Sequence, residues 1–303
     1  MHITFAGTSN FSARTLNSLL KEGVKISSVV TPKDKPKGRG QKSKPTPVKK
    51  IAIKEGLEIN NSLEEVIGKT DLVVVSAYGR IIEKELLERP KHGFLNLHPS
   101  LLPKYRGPTP IQAAILNGDK KTGISIILMD EKIDHGPILS KKEIDLTGNE
   151  YYKGLENKLS TLGGKYLSKT IKKWTENKID PQPQDESKAS YTGLLTKEDG
   201  RINWKDRAID IERQIRAYNP WPGSYSTLNG KIVKIHKADV QKITEDGPFG
   251  QPGKTYLGTN EKIAVQTGED FLLIEELQIE GKKKTSSKQF LQGNIDLIGK
   301  TLG

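Results

Sequence analysis

Short apolar runs alternate with helix-periodic segments over the first half of the chain. The runs have apolar residues on both faces, which is typical of buried parallel strands. They cover residues 2–6, 26–30, 72–77, 94–97 and 124–129. Amphipathic segments lie between and after them, at residues 13–20, 47–55, 63–67, 82–89, 110–117 and 150–177. The alternation predicts an α/β fold, a doubly wound (Rossmann-like) and mostly parallel sheet.

Individual residues suggest where two of these helices begin and bend. Ser12 is a candidate N-cap for the first helix. Thr147 and Glu150 have the spacing of a capping box before the long helix. Gly163 and Gly164 lie in the middle of that helix and predict a break there.

The composition changes after the long helix. Residues 177–200 contain prolines among mixed polar and charged residues and predict an exposed linker. One helix, at 208–218, is then followed by short alternating strands at 224–228, 232–240, 253–257, 262–267 and 271–277. The pair Asn229-Gly230 is typical of a hairpin turn. Residues 1–176 therefore predict the α/β domain, and residues 201–303 predict an OB-like β-barrel domain.

Composition narrows the classes of function. The chain has 303 residues, enough for two domains, and no cysteine. Disulfides, thiolate nucleophiles and cysteine-ligated metals are thereby excluded. A net charge of +12 favours a polyanionic partner without distinguishing RNA, DNA and anionic lipid. No stretch approaches the roughly 20 apolar residues of a membrane span, so we expect a cytoplasmic monomer without a membrane partner.

Polar residues at strand ends are the candidate chemistry, because ligands of such sheets bind beyond the carboxyl ends of the strands. The single Gly7 after the first strand lacks the spacing of a dinucleotide-binding loop. Asn96 and His98 lie two residues apart on a strand, so they share one face about 7 Å apart. Asp134 follows the next strand, and we expect it to pair with His98 across neighbouring strand ends.

These residue types suit the stabilisation of an oxyanion. An asparagine donates a hydrogen bond, a histidine donates or carries a proton, and an aspartate orients the imidazole or accepts a proton. No serine elbow or cysteine offers a nucleophile, so direct attack of an amine on an acyl or formyl carbon is favoured. The alternative is that His98 only terminates a strand and has no chemical role. The His and Asp residues are too few and too scattered to predict a metal site.

The motifs around these residues resemble the folate-dependent formyltransferases. The signature comprises Asn96-x-His98-x-Ser100-Leu-Leu-Pro103-x-x-Arg106-Gly107, Pro110-Ile-Gln112, Gly118-Asp119, Thr122-Gly123 and Met129-Asp130-x-x-Ile133-Asp134-x-Gly136. Further segments resemble the family members that act on methionyl-tRNA, over nearly the whole chain. They are Phe5-Ala-Gly7-Thr8, Pro36-x-Gly38-Arg39-Gly40, Ala77-Tyr78-Gly79, Arg201-Ile-x-Trp204 and Ile215-Arg216-Ala-Tyr218-Asn219-Pro220-Trp221-Pro222.

The resemblance implies roles for particular residues. The implied catalytic residues are Asn96, His98 and Asp134. The implied folate-binding residues are Tyr78, Gly79, Ser100, Leu101, Leu102 and Pro103, with 10-formyltetrahydrofolate as co-substrate and formyl donor. The implied tRNA-binding residues, for an initiator methionyl-tRNA partner, are Lys35, Lys37, Arg39, Lys42 and Lys44. These cations lie in a basic segment, residues 33–50, which on composition alone is equally typical of a solvated face.

Two positions depart from the family pattern, and several alternatives stay open. His135 stands where threonine is common and is expected to be an exposed turn residue, and Pro99 stands where a small residue is frequent. Tyr218, Trp221 and Tyr225 are expected to pack within the barrel. A formyltransferase acting on a sugar-nucleotide or glycinamide ribonucleotide amine would keep the same three polar residues. A formyl-folate hydrolase and a non-catalytic RNA-binding protein are further alternatives.

Overall fold

The computed structural model describes residues 1–37, 42–242 and 250–303. The described residues form two compact units. The first comprises Met1–Pro110, Lys121–Asp145 and Gly154–Gly193, and the second comprises Ile111–Lys120, Leu146–Lys153 and Leu194–Gly303. Of the predicted linker, residues 177–193 therefore lie in the first unit and residues 194–200 in the second.

Strands and helices alternate up to residue 175. The strands are β1 (Ile3–Gly7), β2 (Ser28–Val30), β3 (Lys35–Lys37), β4 (Lys42–Lys44), β5 (Glu58–Asn60), β6 (Leu72–Ser76), β7 (Phe94–His98), β8 (Lys121–Leu128) and β9 (Ile138–Asp145). The helices are α1 (Asn10–Lys21), α2 (Pro47–Lys54), α3 (Lys84–Leu87), α4 (Pro110–Leu116) and α5 (Tyr152–Thr175). Among the described residues, the strands β3 and β4 pair only with each other, and they are antiparallel.

Seven strands form the main sheet, in the order β5-β2-β1-β6-β7-β8-β9. Neighbours from β5 to β7 are parallel, whereas β7 with β8 and β8 with β9 are antiparallel. The predicted doubly wound, mostly parallel sheet is thus confirmed. The sequence pattern missed β5 because it is short and partly exposed, and it missed β9 because lysines and acidic residues occupy half of this edge strand.

One predicted helix cap and one predicted helix were wrong. Ser9, not Ser12, is the N-cap of α1: its hydroxyl accepts from Ser12 N at 3.2 Å. Ser12 is instead the third helical residue of a capping box, and its hydroxyl accepts from Ser9 N at 3.2 Å. Residues 63–66 form a bend and a turn rather than an α-helix, and a 3₁₀ turn at Ile67–Lys69 follows.

The long helix α5 is not broken at its glycine pair. A Cβ on Gly163 would lie 2.4 Å from Leu97 Cδ2, and one on Gly164 would lie 2.4 Å from Ser18 Cβ and 2.9 Å from Thr15 O. The glycines therefore permit close packing of α5 against β7 and α1 instead of interrupting the helix. No helix within the described ranges is long and apolar enough to cross a membrane.

The second unit is built on an antiparallel sheet. Its elements after residue 194 are α6 (Ala208–Tyr218), β10 (Ser224–Leu228), β11 (Lys231–Gln241), β12 (Thr255–Leu257), β13 (Ile263–Gln266), β14 (Phe271–Ile279), β15 (Thr285–Ser286) and α7 (Ser287–Leu291). The strand order is β10-β11-β14-β13-β12, and β15 pairs with β14. The predicted hairpin turn is confirmed, since Asn229 and Gly230 have φ of 50° and 75° between the paired residues Leu228 and Lys231.

Residues 299–303 join the two ends of this sheet. Thr227 of β10 exchanges two backbone hydrogen bonds with Gly303, at 2.8 and 3.1 Å. On the opposite side, Thr255 N of β12 donates to Lys300 O at 2.9 Å, and Leu302 N donates to Gly253 O at 2.9 Å. The segment thereby bonds to both edge strands of the sheet, as expected for the predicted barrel. Trp221 was expected to pack within it, but its side chain is 58% exposed.

The glycine packing of α5 predicts opposite effects for two alanine substitutions in one helix. Gly164→Ala should lower the free energy of unfolding by about 1–3 kcal/mol, because Ser18 Cβ and a backbone oxygen must move. Gly154→Ala, where a Cβ meets nothing within 4 Å, should raise it by up to about 1 kcal/mol through helix propensity. Urea denaturation measures both changes, and equal stability of the two variants would contradict the close packing of α1 and α5.

Candidate functional site

The carboxylate of Asp134 lies at the centre of the candidate site. Its Oδ1 accepts from Asn96 Nδ2 at 3.0 Å, and its Oδ2 accepts from Gly107 N at 2.8 Å. The same Oδ2 lies 3.4 Å from His98 Nδ1. The expected pairing of His98 with Asp134 is confirmed, and Asn96 shares the carboxylate.

Asp134 reaches these residues by a different path from the one predicted. Because β8 is antiparallel to β7, β8 ends beside the beginning of β7, where Met129 N donates to Phe94 O at 2.8 Å. The loop from Met129 to Pro137 then returns along β7 and brings Asp134 to Asn96 and His98. Asp134 has φ of 50°, a left-handed conformation that aspartate tolerates better than most residues.

Both ring nitrogens of His98 face oxygen atoms, and the residue is only 4% exposed. Its Nε2 lies 2.8 Å from Tyr105 O. A carbonyl oxygen can only accept a hydrogen bond, so Nε2 must carry the hydrogen. The nitrogen that faces Asp134 is therefore Nδ1, and His98 donates toward a ligand there only when this second nitrogen is also protonated.

The segment Ser100-Leu101-Leu102-Pro103 is pinned through its backbone. The buried Ser125 hydroxyl of β8 donates to Ser100 O at 2.8 Å and accepts from Leu102 N at 3.0 Å. Leu102 is fully buried beside Ile127 and Ile138. The predicted ligand-contacting segment therefore has Ser100 and Leu102 turned into the protein, while Leu101 and Pro103 stay partly exposed.

Tyr78 and Gly79 follow β6, which is the parallel neighbour of β7. Their position places them at the same edge of the sheet as His98. The Tyr78 side chain is buried, and its burial raises the pKa of the phenol against the opposing effect of Arg80. Thr8 Oγ1, after β1, donates to Tyr78 O at 3.1 Å and fixes the turn.

Residues 105–107 are held by a segment that the sequence pattern predicted as linker. Tyr105 N donates to Ser190 Oγ at 2.9 Å, and Thr192 N donates to Arg106 O at 2.8 Å. Gly107 has φ of 105°, and a Cβ there would lie 2.5 Å from Thr192 O. Only glycine fits this contact, which explains its place in the motif.

His135 differs from its predicted role as an exposed turn residue. Its side chain is about one-third exposed, and Nδ1 lies 2.5 Å from Asp130 Oδ2. Its Nε2 lies 3.5 Å from Glu186 Oε1. The imidazole thus links the loop that carries Asp134 to the 184–192 segment.

The predicted tRNA-binding cations are distributed over the β3–β4 hairpin. Lys35 and Lys37 belong to β3, and Lys42 and Lys44 belong to β4. Lys44 is exposed. Arg39 lies outside the described residues. Within the described ranges, no group of three or more His, Asp or Glu side chains is arranged to hold a metal ion.

The comparisons with known proteins cover both parts of the chain. Residues 1–171 match the family described as formyl transferase, and residues 194–294 match the formyl transferase C-terminal domain. A protein of Caldanaerobacter subterraneus named methionyl-tRNA formyltransferase is 39% identical over 306 residues, covering 97% of each chain. A protein of the same name from Bacillus subtilis is 40% identical, covering 99% of this chain and 97% of its own.

Solved structures share the fold at lower identity. An N-formyltransferase from Helicobacter canadensis, in complex with folinic acid and dTDP-3-aminofucose, is 22% identical with a TM-score of 0.69, covering 93% of this chain and 99% of that one. HypX from Aquifex aeolicus, in complex with tetrahydrofolic acid, is 17% identical with a TM-score of 0.63. The match covers 96% of this chain and 46% of HypX.

The contacts of His98 predict its tautomer. In the neutral ring the hydrogen should reside on Nε2, because Tyr105 O accepts it. Long-range ¹H–¹⁵N NMR of ring-labelled histidine measures this directly, with the His98→Gln variant used to assign the signal. A neutral ring protonated on Nδ1 alone would show that the contact with Tyr105 O is absent.

Proposed function

Because the chain belongs to the formyl transferase family, we propose that it transfers the formyl group of 10-formyltetrahydrofolate to the amino group of methionine on initiator methionyl-tRNA. The observation that carries the proposal is the Asp134 carboxylate bonded to Asn96 at 3.0 Å and facing His98 at 3.4 Å. Relatives named methionyl-tRNA formyltransferase, similar over nearly the full length, support the choice of acceptor. A reaction on charged tRNA is consistent with the cytoplasm as its location.

In the proposed reaction the methionine amine attacks the formyl carbon directly. A bond forms between the amine nitrogen and the formyl carbon, and the bond from that carbon to N10 of the folate breaks. The proton released by the amine ends on N10 of the departing tetrahydrofolate. This route needs no enzyme nucleophile, in keeping with the Asn, His and Asp side chains of the site.

Asn96 and His98 have different roles in stabilising the oxyanion of the intermediate. Asp134 occupies one hydrogen of Asn96 Nδ2, so the second hydrogen is left for the developing negative charge. The Nε2 hydrogen of His98 is engaged by Tyr105 O. Any donation by His98 to the intermediate must therefore come from Nδ1, next to the Asp134 oxygen that can take up or pass on the amine's proton.

We propose that the folate lies at the edge of the sheet between the Tyr78-Gly79 turn and the Ser100–Pro103 segment. The inward orientation of Ser100 and Leu102 indicates that this segment offers the folate its backbone and the partly exposed Leu101 and Pro103. Folate ligands in complexes of the fold relatives agree with a folate-derived donor.

The tRNA is proposed to contact the basic hairpin formed by β3 and β4 and exposed cations of the second unit. Lys231 and Lys234 are exposed there, whereas Lys237 and Lys284 are paired with Glu275 at 2.6 Å and Glu276 at 2.7 Å. The exposed Trp221 offers a flat face on which a base could stack. Phosphate attraction of this kind is not specific for one sequence.

The acceptor is tested by transfer of labelled formyl from 10-formyltetrahydrofolate. We expect label on charged initiator tRNA and none on uncharged tRNA, glycinamide ribonucleotide or amino-sugar nucleotides. In the same assay Asn96→Ala, His98→Ala and Asp134→Ala should each lower kcat by about 100-fold or more, because they remove oxyanion donors or the proton acceptor.

The matched control for the histidine variant is His92→Ala. His92 precedes β7 and thus lies at the opposite end of the strand from His98, so its variant should keep the wild-type rate. Label on a small amine would show that this amine, and not the charged tRNA, is the acceptor. Release of formate alone would favour a hydrolase. RNA binding without transfer or folate binding would favour a non-catalytic protein.

The hairpin is tested by the salt dependence of transfer. Replacing Lys35, Lys37, Arg39, Lys42 and Lys44 by glutamine should raise KM for tRNA and flatten its dependence on salt, because fewer counterions are released from the phosphates. KM for the folate should not change. The control variant replaces the same number of exposed lysines, all far from the hairpin in sequence. They lie near the amino ends of β6 and β7 and at the end of α5: Lys69, Lys91, Lys172, Lys173 and Lys178. An equal salt slope for the two variants would exclude the hairpin from the tRNA site.

A further inference from the structure

Gln184 is bonded to the backbone of the loop that carries Asp134. Its Nε2 donates to Asp134 O at 2.8 Å and to Gly136 O at 2.8 Å. Both hydrogens of the amide nitrogen are thereby used on the two sides of His135. Among the contacts of the described residues, this is the side chain that holds the backbone carbonyl of Asp134.

The orientation of the Gln184 amide is determined by Arg106. Gln184 Oε1 accepts from Arg106 Nε at 3.2 Å and from Arg106 Nη2 at 2.9 Å. A guanidinium has only donors, and the two carbonyls have only acceptors, so exchanging the oxygen and nitrogen of the amide would break every one of these bonds. The amide therefore fits this position in one orientation.

Arg106 is itself an anchored residue. It is 1% exposed, and its guanidinium bonds Glu186 at 2.6 and 3.0 Å and Tyr191 Oη at 3.1 Å. These bonds, that to Glu186 first, raise the pKa of the guanidinium against the opposing effect of burial. Arg106 also precedes Gly107, whose amide donates to the Asp134 carboxylate. Arg106 is thus linked to Asp134 in two ways. It bonds Gln184, which bonds the Asp134 backbone, and it is the neighbour of Gly107, whose amide bonds the Asp134 carboxylate.

We propose that Gln184 is a positioning residue for the formyl transfer: by bonding Asp134 O and Gly136 O, it holds the Asp134 carboxylate against Asn96, Gly107 and His98. The inference rests on the proposed function. Gln184 acts through Asp134 and does not itself reach the reacting atoms. Asp134 has a left-handed backbone, with φ of 50°, and without Gln184 its peptide is free to relax toward the more common negative φ.

Displacement of a proton acceptor affects the chemical step more than binding. A shift of about 1 Å in a positioned group can cost about 100-fold in rate. We therefore expect loss of the Gln184 donors to lower kcat by about 10- to 100-fold while KM for 10-formyltetrahydrofolate and for the tRNA stays unchanged.

The experiment compares two variants of Gln184 with one of Gln182. Gln184→Glu keeps the shape of the side chain and the acceptors for Arg106, but its carboxylate has no hydrogen for Asp134 O or Gly136 O. Gln184→Ala removes the bonds to Arg106 as well as those to Asp134 O and Gly136 O. Gln182→Ala is the matched control, because that side chain is exposed and bonds only Asp180 among the described residues. Steady-state rates, thermal melting and the His98 ring ¹⁵N signals are measured on the full chain.

Support requires a loss of kcat in both Gln184 variants, a changed His98 Nδ1 signal in Gln184→Glu at an unchanged melting temperature, and wild-type behaviour of Gln182→Ala. A wild-type kcat in Gln184→Glu would overturn the inference. A rate loss that is explained entirely by a lowered melting temperature, or entirely by a raised KM, would also overturn the inference.

The NMR comparison separates this inference from the proposed function. It uses protein without substrates, so an unmoved His98 Nδ1 signal in Gln184→Glu overturns the positioning role whatever the acceptor proves to be. If the wild-type protein formylates another amine, the proposed acceptor fails and the kinetic comparison is made with that amine.

Discussion

The carboxylate of Asp134 is the group on which the candidate site depends, because it joins the loop from Met129 to Pro137 to β7 and to the segment that follows β7. Asn96 approaches it from β7, Gly107 approaches it from the loop after β7, and His98 faces it from the end of the same strand. A buried carboxylate is costly unless donors surround it. Here Asn96 Nδ2 and the backbone amide of Gly107 are such donors.

The surrounding contacts restrict what each of the three side chains can do. Tyr105 O engages His98 Nε2, and Asp134 engages one hydrogen of Asn96. Among the contacts of the described residues, the second Asn96 hydrogen is left without a partner, while His98 Nδ1 faces Asp134 Oδ2 at 3.4 Å. A site with so few free groups is preorganised, since little has to rotate when charge develops on a ligand.

The shared fold does not by itself identify the acceptor. The N-formyltransferase from Helicobacter canadensis, whose complex contains dTDP-3-aminofucose, shares the fold over 93% of this chain at 22% identity. In the proposed function, the basic hairpin and the second unit, which lie outside the central carboxylate, are the features that contact the tRNA.

The sequence by itself determined the elements whose signals are local. Buried strands showed as apolar runs, the two-residue hairpin as Asn229-Gly230, and the site as Asn96 and His98 on one strand face. Tertiary structure alone decided how Asp134 reaches them, because β8 is antiparallel to β7 and the pairing direction is not encoded in the pattern of one strand. It also decided the role of residues 184–192, whose polar, proline-containing composition is typical of a linker. Their hydrogen bonds join residues about 80 positions apart in sequence, and such contacts have no local periodicity.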